Sequence, residues 1–255
     1  MTYAQTLNQL SELHLKGMVE AYRELCDDPL WREMSFDDRL AQMVNREYDR
    51  RLNNRIRLRI KEAGFKEQAR LSEILYTPDR NLNRELIERF SQLRWIKNHE
   101  NIIITGATGT GKSYLAQALG EHACRHGYRV KYYRLPDLLC ELNVKKQVNQ
   151  YIPFRRLLAK TDVLILDDWG MAILDKLSGH EIGEIIEDRL HKKSVIVVSQ
   201  FPIGTWDRVF EDKTTADAVM DRLVHVAYPL ALGGPSLRQQ AASDELRAFK
   251  NDVVE

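Results

Sequence analysis

Residues 102–113 read Ile-Ile-Ile-Thr-Gly-Ala-Thr-Gly-Thr-Gly-Lys-Ser, and this run restricts the fold more than anything else in the chain. Gly106, Gly111, Lys112 and Ser113 occupy the defining places of G-x-x-x-x-G-K-[ST]. The glycines allow successive backbone N–H groups to turn inward around a polyphosphate. Lys112 sets a cation against the β- and γ-phosphates, and the Ser113 hydroxyl is a hard oxygen ligand suited to Mg²⁺. A helix opening at Lys112 aims its positive dipole end at the same anion. The flanks agree. Ile102, Ile103 and Ile104 predict a strand, and Tyr114, Leu115, Ala118 and Leu119 recur at helical spacing. A chance glycine-rich turn would lack both. Gly106, Ala107, Thr108, Gly109, Thr110, Gly111, Lys112, Ser113 and Tyr114 are therefore the candidate contacts to a nucleoside triphosphate such as ATP.

Three further signals point beyond binding toward hydrolysis. Val163-Leu164-Ile165-Leu166 reads as a buried strand ending in Asp167-Asp168, at the strand end where ligands of open α/β sheets bind. Asp167 is expected to complete the Mg²⁺ site through water, and Asp168 to orient or deprotonate an attacking water. An ordinary turn or helix cap is the plainer alternative for such a pair. Next, Val195 to Ser199 predicts a strand followed by Gln200. Ser199 and Gln200 both qualify to touch the γ-phosphate or the water, and Gln200 is preferred. Last, Asp221-Arg222-Leu223 falls on a predicted helix. Arg222 is suited to stabilise charge on a transferring phosphoryl group, including that of a neighbouring subunit; a surface ion pair with Asp221 is the alternative.

The rest of the chain divides in two by pattern. Leu7, Leu10, His14, Met18, Tyr22 and Leu25 predict one helix, stopped at Asp27-Asp28-Pro29. Ser35 with Asp38 resembles a capping box. From there Phe36, Leu40, Val44, Tyr48, Leu52, Ile56 and Ile60 recur every four residues up to Gly64, predicting one long helix. After Thr77-Pro78-Asp79 a helix over about 82–97 leads into alternating strands and helices. The strands are expected at residues 102–105, 130–133, 163–166, 195–199 and, more weakly, 228–232. Alternation implies crossover connections and a parallel sheet covered by helices on both faces. The expected division is a small all-helical domain over 1–75 and an α/β domain over 76–255.

Net charge is +1, which singles out no partner class, but its distribution is uneven. Residues 1–45 carry 4 basic and 8 acidic side chains, whereas residues 46–70 carry 9 and 4. On the long helix Arg46, Arg50, Arg57 and Lys61 fall opposite the apolar stripe, a face able to neutralise phosphates without reading sequence. Three cysteines without metal-type spacing suit a reducing cytoplasm. His122 and His126 have a spacing that could hold a metal, but no third ligand accompanies them. No signal sequence is expected at the N-terminus, and no apolar run approaches the ~20 residues of a membrane span.

In this order and spacing the four signals resemble the AAA+ branch of phosphate-loop ATPases. The flanks narrow the resemblance to the IstB-like transposition helpers, related to DnaC-type helicase loaders. They are Leu15-Lys16-Gly17-Met18, Ser35-Phe36-Asp37-Asp38-Arg39-Leu40, Ala63-Gly64-Phe65, Leu166-Asp167-Asp168-Trp169-Gly170, His225 after Asp221-Arg222-Leu223, and Gly234-Pro235-Ser236-Leu237-Arg238. The resemblance implies an AAA+ core and ATP hydrolysis with Mg²⁺ on Ser113 and Asp167. It also implies water activation by Asp168, a trans-acting Arg222 and nucleotide contact by Arg238. It further implies binding to double-stranded DNA with little sequence preference, ATP- and DNA-dependent homo-oligomers, and recruitment of an IstA-like transposase. The family relation brings in Lys145, Lys146, Arg155 and Arg156 as a second DNA-contacting cluster. The pattern departs from many AAA+ proteins at Asp168, where glutamate is common, and at Gln200, where asparagine is commoner. A helicase loader and a nucleotide-gated scaffold with little hydrolysis are the competing readings.

Overall fold

The computed structural model of the chain describes residues 2–27, 33–237 and 239; the expected helix stop at Asp28-Pro29 lies outside them. Two compact units emerge, Met1–Leu58 and Arg59–Glu255. Ala63, Ala69 and Ile74 are buried in the core of the second unit, so packing divides the chain ahead of the composition boundary near residue 75.

The first unit is helical: α1 (Tyr3–Glu12), α2 (Lys16–Asp27) and most of α3 (Phe36–Ala63). The single helix expected before residue 27 is broken in two. His14, at φ 56, is left-handed and turns the chain between α1 and α2. Thr2 and Gln5 form a reciprocal capping box that starts α1. At α3 the Ser35 hydroxyl accepts from the Asp38 N–H (3.1 Å) and donates to its carboxylate (2.6 Å). Gly64, at φ 76, provides the left-handed stop.

Inside this unit a carboxylate makes the decisive contact. Glu47 of α3 accepts from the buried Gly17 N–H at 2.6 Å, satisfying an amide in the first turn of α2 that has no partner within the helix. Arg50 and Arg51 hold the same carboxylate from the other side, at 2.9 and 2.6 Å. Hydrogen bonds from these two arginines and from Gly17, Arg50 the largest contributor, hold the Glu47 carboxyl at a pKa of about 2. The buried face of α3 thus carries Glu47. Phe36, Leu40, Val44, Tyr48 and Leu52 of the four-residue stripe are exposed instead.

The second unit is a five-stranded, wholly parallel sheet: β1 (Asn101–Gly106), β2 (Val130–Arg134), β3 (Val163–Trp169), β4 (Ser194–Ser199) and β5 (Ala227–Leu232), in the order β2-β3-β4-β1-β5. All five predicted strands are present, each extended by one to three residues. The central strands β1, β3 and β4 are buried along nearly their whole length because helices cover both faces, whereas the edge strands β2 and β5 are only partly buried. One hydrophobic cluster joins Ile102, Ile104, Ile165 and Ile196 to Leu115 and Leu119; the other joins Ile103, Leu164, Leu166 and Val197 to Leu138, Leu158 and Ile182. The covering helices are α4 (Arg84–Ser91), α5 (Arg94–Lys97), α6 (Lys112–Arg125), α7 (Leu135–Gln147), α8 (Tyr151–Lys160), α9 (Lys176–Arg189) and α10 (Lys213–Val224). The helix expected over 82–97 is broken, because Leu93 at φ 57 turns the chain between α4 and α5.

Candidate nucleotide site

β1 lies between β4 and β5, and β4 lies between β1 and β3. The three segments that leave the C-terminal ends of β1, β3 and β4 therefore emerge side by side. These are the phosphate loop, Asp167-Asp168 and Ser199-Gln200. The loop runs from Gly106 to Gly111 and feeds α6 at Lys112. Gly109 is left-handed, and Ser236 sits where its Cβ would be, so a larger residue there is excluded twice over. The Lys112 ammonium donates to the Ala107 carbonyl at 2.7 Å, arching back over the loop. Thr110 Oγ1 closes the turn onto the same carbonyl at 2.9 Å. A cleft of about 250 Å³ is lined by Gly109, Gly111, Lys112, Ser113, Tyr114, Glu67 and Leu237.

β3 is disturbed where the carboxylates sit. Its register against β4 shifts between Leu166 and Trp169, and Asp168 adopts φ 57. Such a bulge re-aims side chains at a strand end. Asp167 is buried; its Oδ2 accepts from the Tyr132 hydroxyl (2.7 Å) and its Oδ1 from the Asp168 N–H (2.8 Å). Burial together with this carboxylate pushes the Tyr132 phenol well above its ordinary pKa, keeping it a donor. Asp168 is more accessible and pairs with Arg134 at 2.5 Å, which raises the guanidinium pKa further.

Gln200 Oε1 accepts from the Thr108 hydroxyl of the phosphate loop at 2.8 Å. The Ser199 hydroxyl is buried and engaged elsewhere: it donates to the Trp169 carbonyl (2.7 Å) and accepts from the Phe201 N–H (3.0 Å). Of the two, Gln200 is the one that touches the loop.

Arg222 stands at the other end of the sheet. α10 ends at Val224, and β5 begins with Ala227 beside Asn101, the first residue of β1. Arg222 lines a small cleft with His99, Asn101 and Val226. A six-residue strand spans roughly 20 Å, so Arg222 is a strand's length from its own phosphate loop. Its partners are Glu187 and the Ala218 carbonyl, not Asp221. Arg238 lies outside the described residues.

The basic residues read from the sequence are in different situations. Arg57, Lys61 and Arg156 are exposed, and Arg46 is exposed while paired with Glu24. Arg50 is half-buried, gripping Glu47 and the His14 carbonyl. Arg155 ties α8 to α9 through Asp188 (2.6 Å) and Glu184 (2.7 Å). Lys145 and Lys146 pair with Glu141 and Glu181. His122 and His126 bond to backbone carbonyls at 2.9 and 2.8 Å, and among the described residues no group of three or more His, Cys, Asp or Glu side chains could hold a metal. No described helix is long and apolar enough to cross a membrane.

Several residues of the site carried no sequence signal. Tyr132 and Arg134 end an ordinary strand, yet parallel pairing sets Arg134 beside Asp167. Gln117 of α6 accepts from the Lys66 N–H at 2.7 Å and donates to Glu67, holding residues 66–67 near the cleft. Arg80 donates to the Thr110 carbonyl. Only their partners, distant in sequence, reveal them.

Comparison with known proteins is consistent with this geometry. A protein of Sinorhizobium fredii (strain NBRC 101917 / NGR234), named for ATP binding in an insertion sequence, is 36% identical over 92% of this chain and 96% of its own length. One of Pseudomonas fluorescens, named for ATP binding and insertion sequence IS1162, is 38% identical over 80% of this chain and 89% of its own. Among solved structures, DnaI has a TM-score of 0.57 at 23% identity over 65% of this chain and 91% of its own. The DnaC helicase loader has 0.53 at 18% over 68% and 98%. AMPPCP-bound DnaA from Aquifex aeolicus has 0.58 at 21% over 73% and 57%. These three share the fold, an AAA+ phosphate-loop core. The model of the IstB-like ATP binding proteins matches residues 8–245, and with the phosphate loop, the carboxylate pair and the strand order in place, the chain belongs to that family.

Proposed function

We propose that the chain hydrolyses ATP between subunits assembled on double-stranded DNA, and in that state recruits and stimulates an IstA-like transposase. The observation that carries this reading is the division of the hydrolytic groups. The phosphate loop, Asp167, Asp168 and Gln200 gather at the C-terminal edge of the sheet, whereas Arg222 stands at the opposite edge of the same chain. An arginine so placed serves the loop of a neighbour, not its own. Lys112 and the loop amides hold the triphosphate, Asp168 orients and deprotonates the water, and Gln200 places it. Asp168 must leave Arg134 to do so.

The donor set fits Mg²⁺. A serine hydroxyl and one fixed carboxylate, with no wider cage of His, Cys, Asp or Glu among the described residues, match an ion that keeps its waters and takes phosphate oxygens. Ser113 and Asp167 would hold it, and it would offset charge on the β- and γ-phosphates.

The relatives' names tie this family to insertion sequences, which supports transposition as the process. The exposure of Arg46, Arg57, Lys61 and Arg156 supports phosphate-backbone contact by these residues, with Lys145 and Lys146 joining them in the second cluster. Arg50 and Arg155 contribute by holding those surfaces. The expected behaviour is DNA-stimulated turnover that drops by about 10²-fold or more in Lys112→Ala and Asp168→Asn. Asp168→Asn retains ATP, and light scattering shows growth in mass only with ATP and duplex DNA together. Turnover indifferent to DNA, with a monomer under every condition, would refute the reading. Capture of a replicative helicase but no transposase by the full-length chain would transfer the function to helicase loading.

A further inference from the structure

Arg80 closes a short turn, Pro78–Arg80, and is only 4% exposed. Its guanidinium donates to the Leu75 carbonyl and, at 2.9 Å, to the Thr110 carbonyl inside the phosphate loop. Nη2 stands 2.8 Å from where a Cβ on Gly111 would be, one residue before Lys112. The Arg80 carbonyl accepts from Gly233 N–H at 2.9 Å, and the neighbouring Leu237 N–H donates to the Gly109 carbonyl at 2.9 Å. The loop is therefore gripped at Gly109 by the C-terminal segment and at Thr110 by Arg80.

The anchoring contacts alone do not call for a charge. Two carbonyls could be satisfied by a neutral donor. Among the described residues no carboxylate pairs with Arg80, and its Nε is buried with no hydrogen-bond partner. A buried guanidinium stays charged and is costly unless an anion balances it. Desolvation accordingly pushes its pKa below the ordinary arginine range. The anion for which the adjacent loop is built is a polyphosphate.

We infer that Arg80 is a second fixed cation of the nucleotide site: it positions the Thr110–Gly111 turn, and its unpaired charge is balanced by the phosphates that the loop binds. This rests on the reading of the loop as an ATP site. Arg80 does not touch the reacting atoms; it acts through the loop and through its field, so its contribution grows with the number of phosphates.

The test is equilibrium binding of AMP, ADP and ATP to the full-length chain, as wild type, Arg80→Gln and Arg80→Lys, each with a thermal melt. In Arg80→Gln the affinity for ATP falls on the order of tenfold and that for AMP much less, because a lost charge is felt in proportion to the ligand's charge. Arg80→Lys keeps the wild-type preference for ATP over AMP even where its melting point falls. Equal losses for all three nucleotides in Arg80→Gln, or none, would overturn the inference and leave Arg80 a structural anchor. Should Arg80→Gln fail to fold, disappearance of the ATP preference in a folded Arg80→Lys would overturn it as well. A wild-type chain that binds none of the three refutes the reading of the loop itself, whereas variants matching a competent wild type refute only the role of Arg80.

Discussion

Neighbouring polar residues at a strand end acquire different tasks from their partners. Ser199 and Gln200 are indistinguishable as candidates in the sequence, but Ser199 is buried across the Trp169 carbonyl and the Phe201 amide, whereas Gln200 faces Thr108 of the loop. Ser199→Ala should therefore cost about 1–3 kcal/mol of stability by leaving buried backbone groups unpaired. Gln200→Ala should leave the melting point unchanged and lower ATP turnover by about 10- to 100-fold. Denaturant unfolding and steady-state hydrolysis on both variants separate the roles; the opposite outcome would assign the contact with the γ-phosphate or the water to Ser199. Cys124 takes no part in chemistry: it is buried and its thiol is pushed up to about 12 by desolvation, so it stays protonated and inert.

Among the elements, the junction of α2 with α3 depends on one small residue and one carboxylate. A Cβ on Gly17 would lie 2.8 Å from the Arg46 carbonyl and from the Glu47 Cα, closer than backbone atoms tolerate. Gly17→Ala is expected to destabilise the N-terminal unit by about 1–3 kcal/mol, read as an earlier loss of helical signal on heating. Glu47 supplies the pH dependence. Its folded pKa of about 2 lies below the ordinary carboxyl value of 4.5, so its stabilisation is complete above the unfolded value and is lost as pH falls from about 4.5 toward 2. Glu47→Gln should remove this acid transition and weaken the unit at neutral pH; a variant that keeps the transition would assign it to another group. The Leu-Lys-Gly-Met pattern around Gly17 is visible in the sequence, but the close approach that requires glycine is not. Alternation of strands and helices was legible because the central strands are continuous apolar runs, buried on both faces. The breaks at His14 and Leu93 were not, because neither residue type announces a positive φ.

For the molecule as a whole, the separation of Arg222 from its own phosphate loop makes a direct prediction. On the proposed function, Lys112→Ala subunits should lose ATP while still presenting Arg222, and Arg222→Ala subunits should hold ATP while offering no arginine to a neighbour. Each alone should be nearly inactive, and a mixture of the two should regain a substantial part of the hydrolysis. Mixed-subunit assays with duplex DNA check this, and a mixture no better than its components would return Arg222 to its ion pair with Glu187. The exposed ridge of Phe36, Leu40, Val44, Tyr48 and Leu52 belongs to the same scale. Its spacing was plain in the sequence, but whether a four-residue ridge is buried depends on what packs against it. In α3 the face that packs carries Glu47 instead.

By itself the sequence determined the phosphate loop, the strand that ends in two carboxylates and the parallel alternation, because each follows from local chemistry: glycine conformations, β-branched runs and crossover rules. It also carried the family pattern through its flanks. Only the tertiary structure decided which groups meet. Parallel register brought Tyr132 and Arg134 to the carboxylates, strand order set Gln200 against Thr108, and a turn at Pro78–Arg80 drove a buried cation against the loop. Those partners lie 30 to 92 residues apart in the chain, and no local pattern encodes a contact at that range. Arg222 shows the same limit in the other direction: the residue was readable, but its position at the far edge of the sheet follows only from the way β5 pairs with β1.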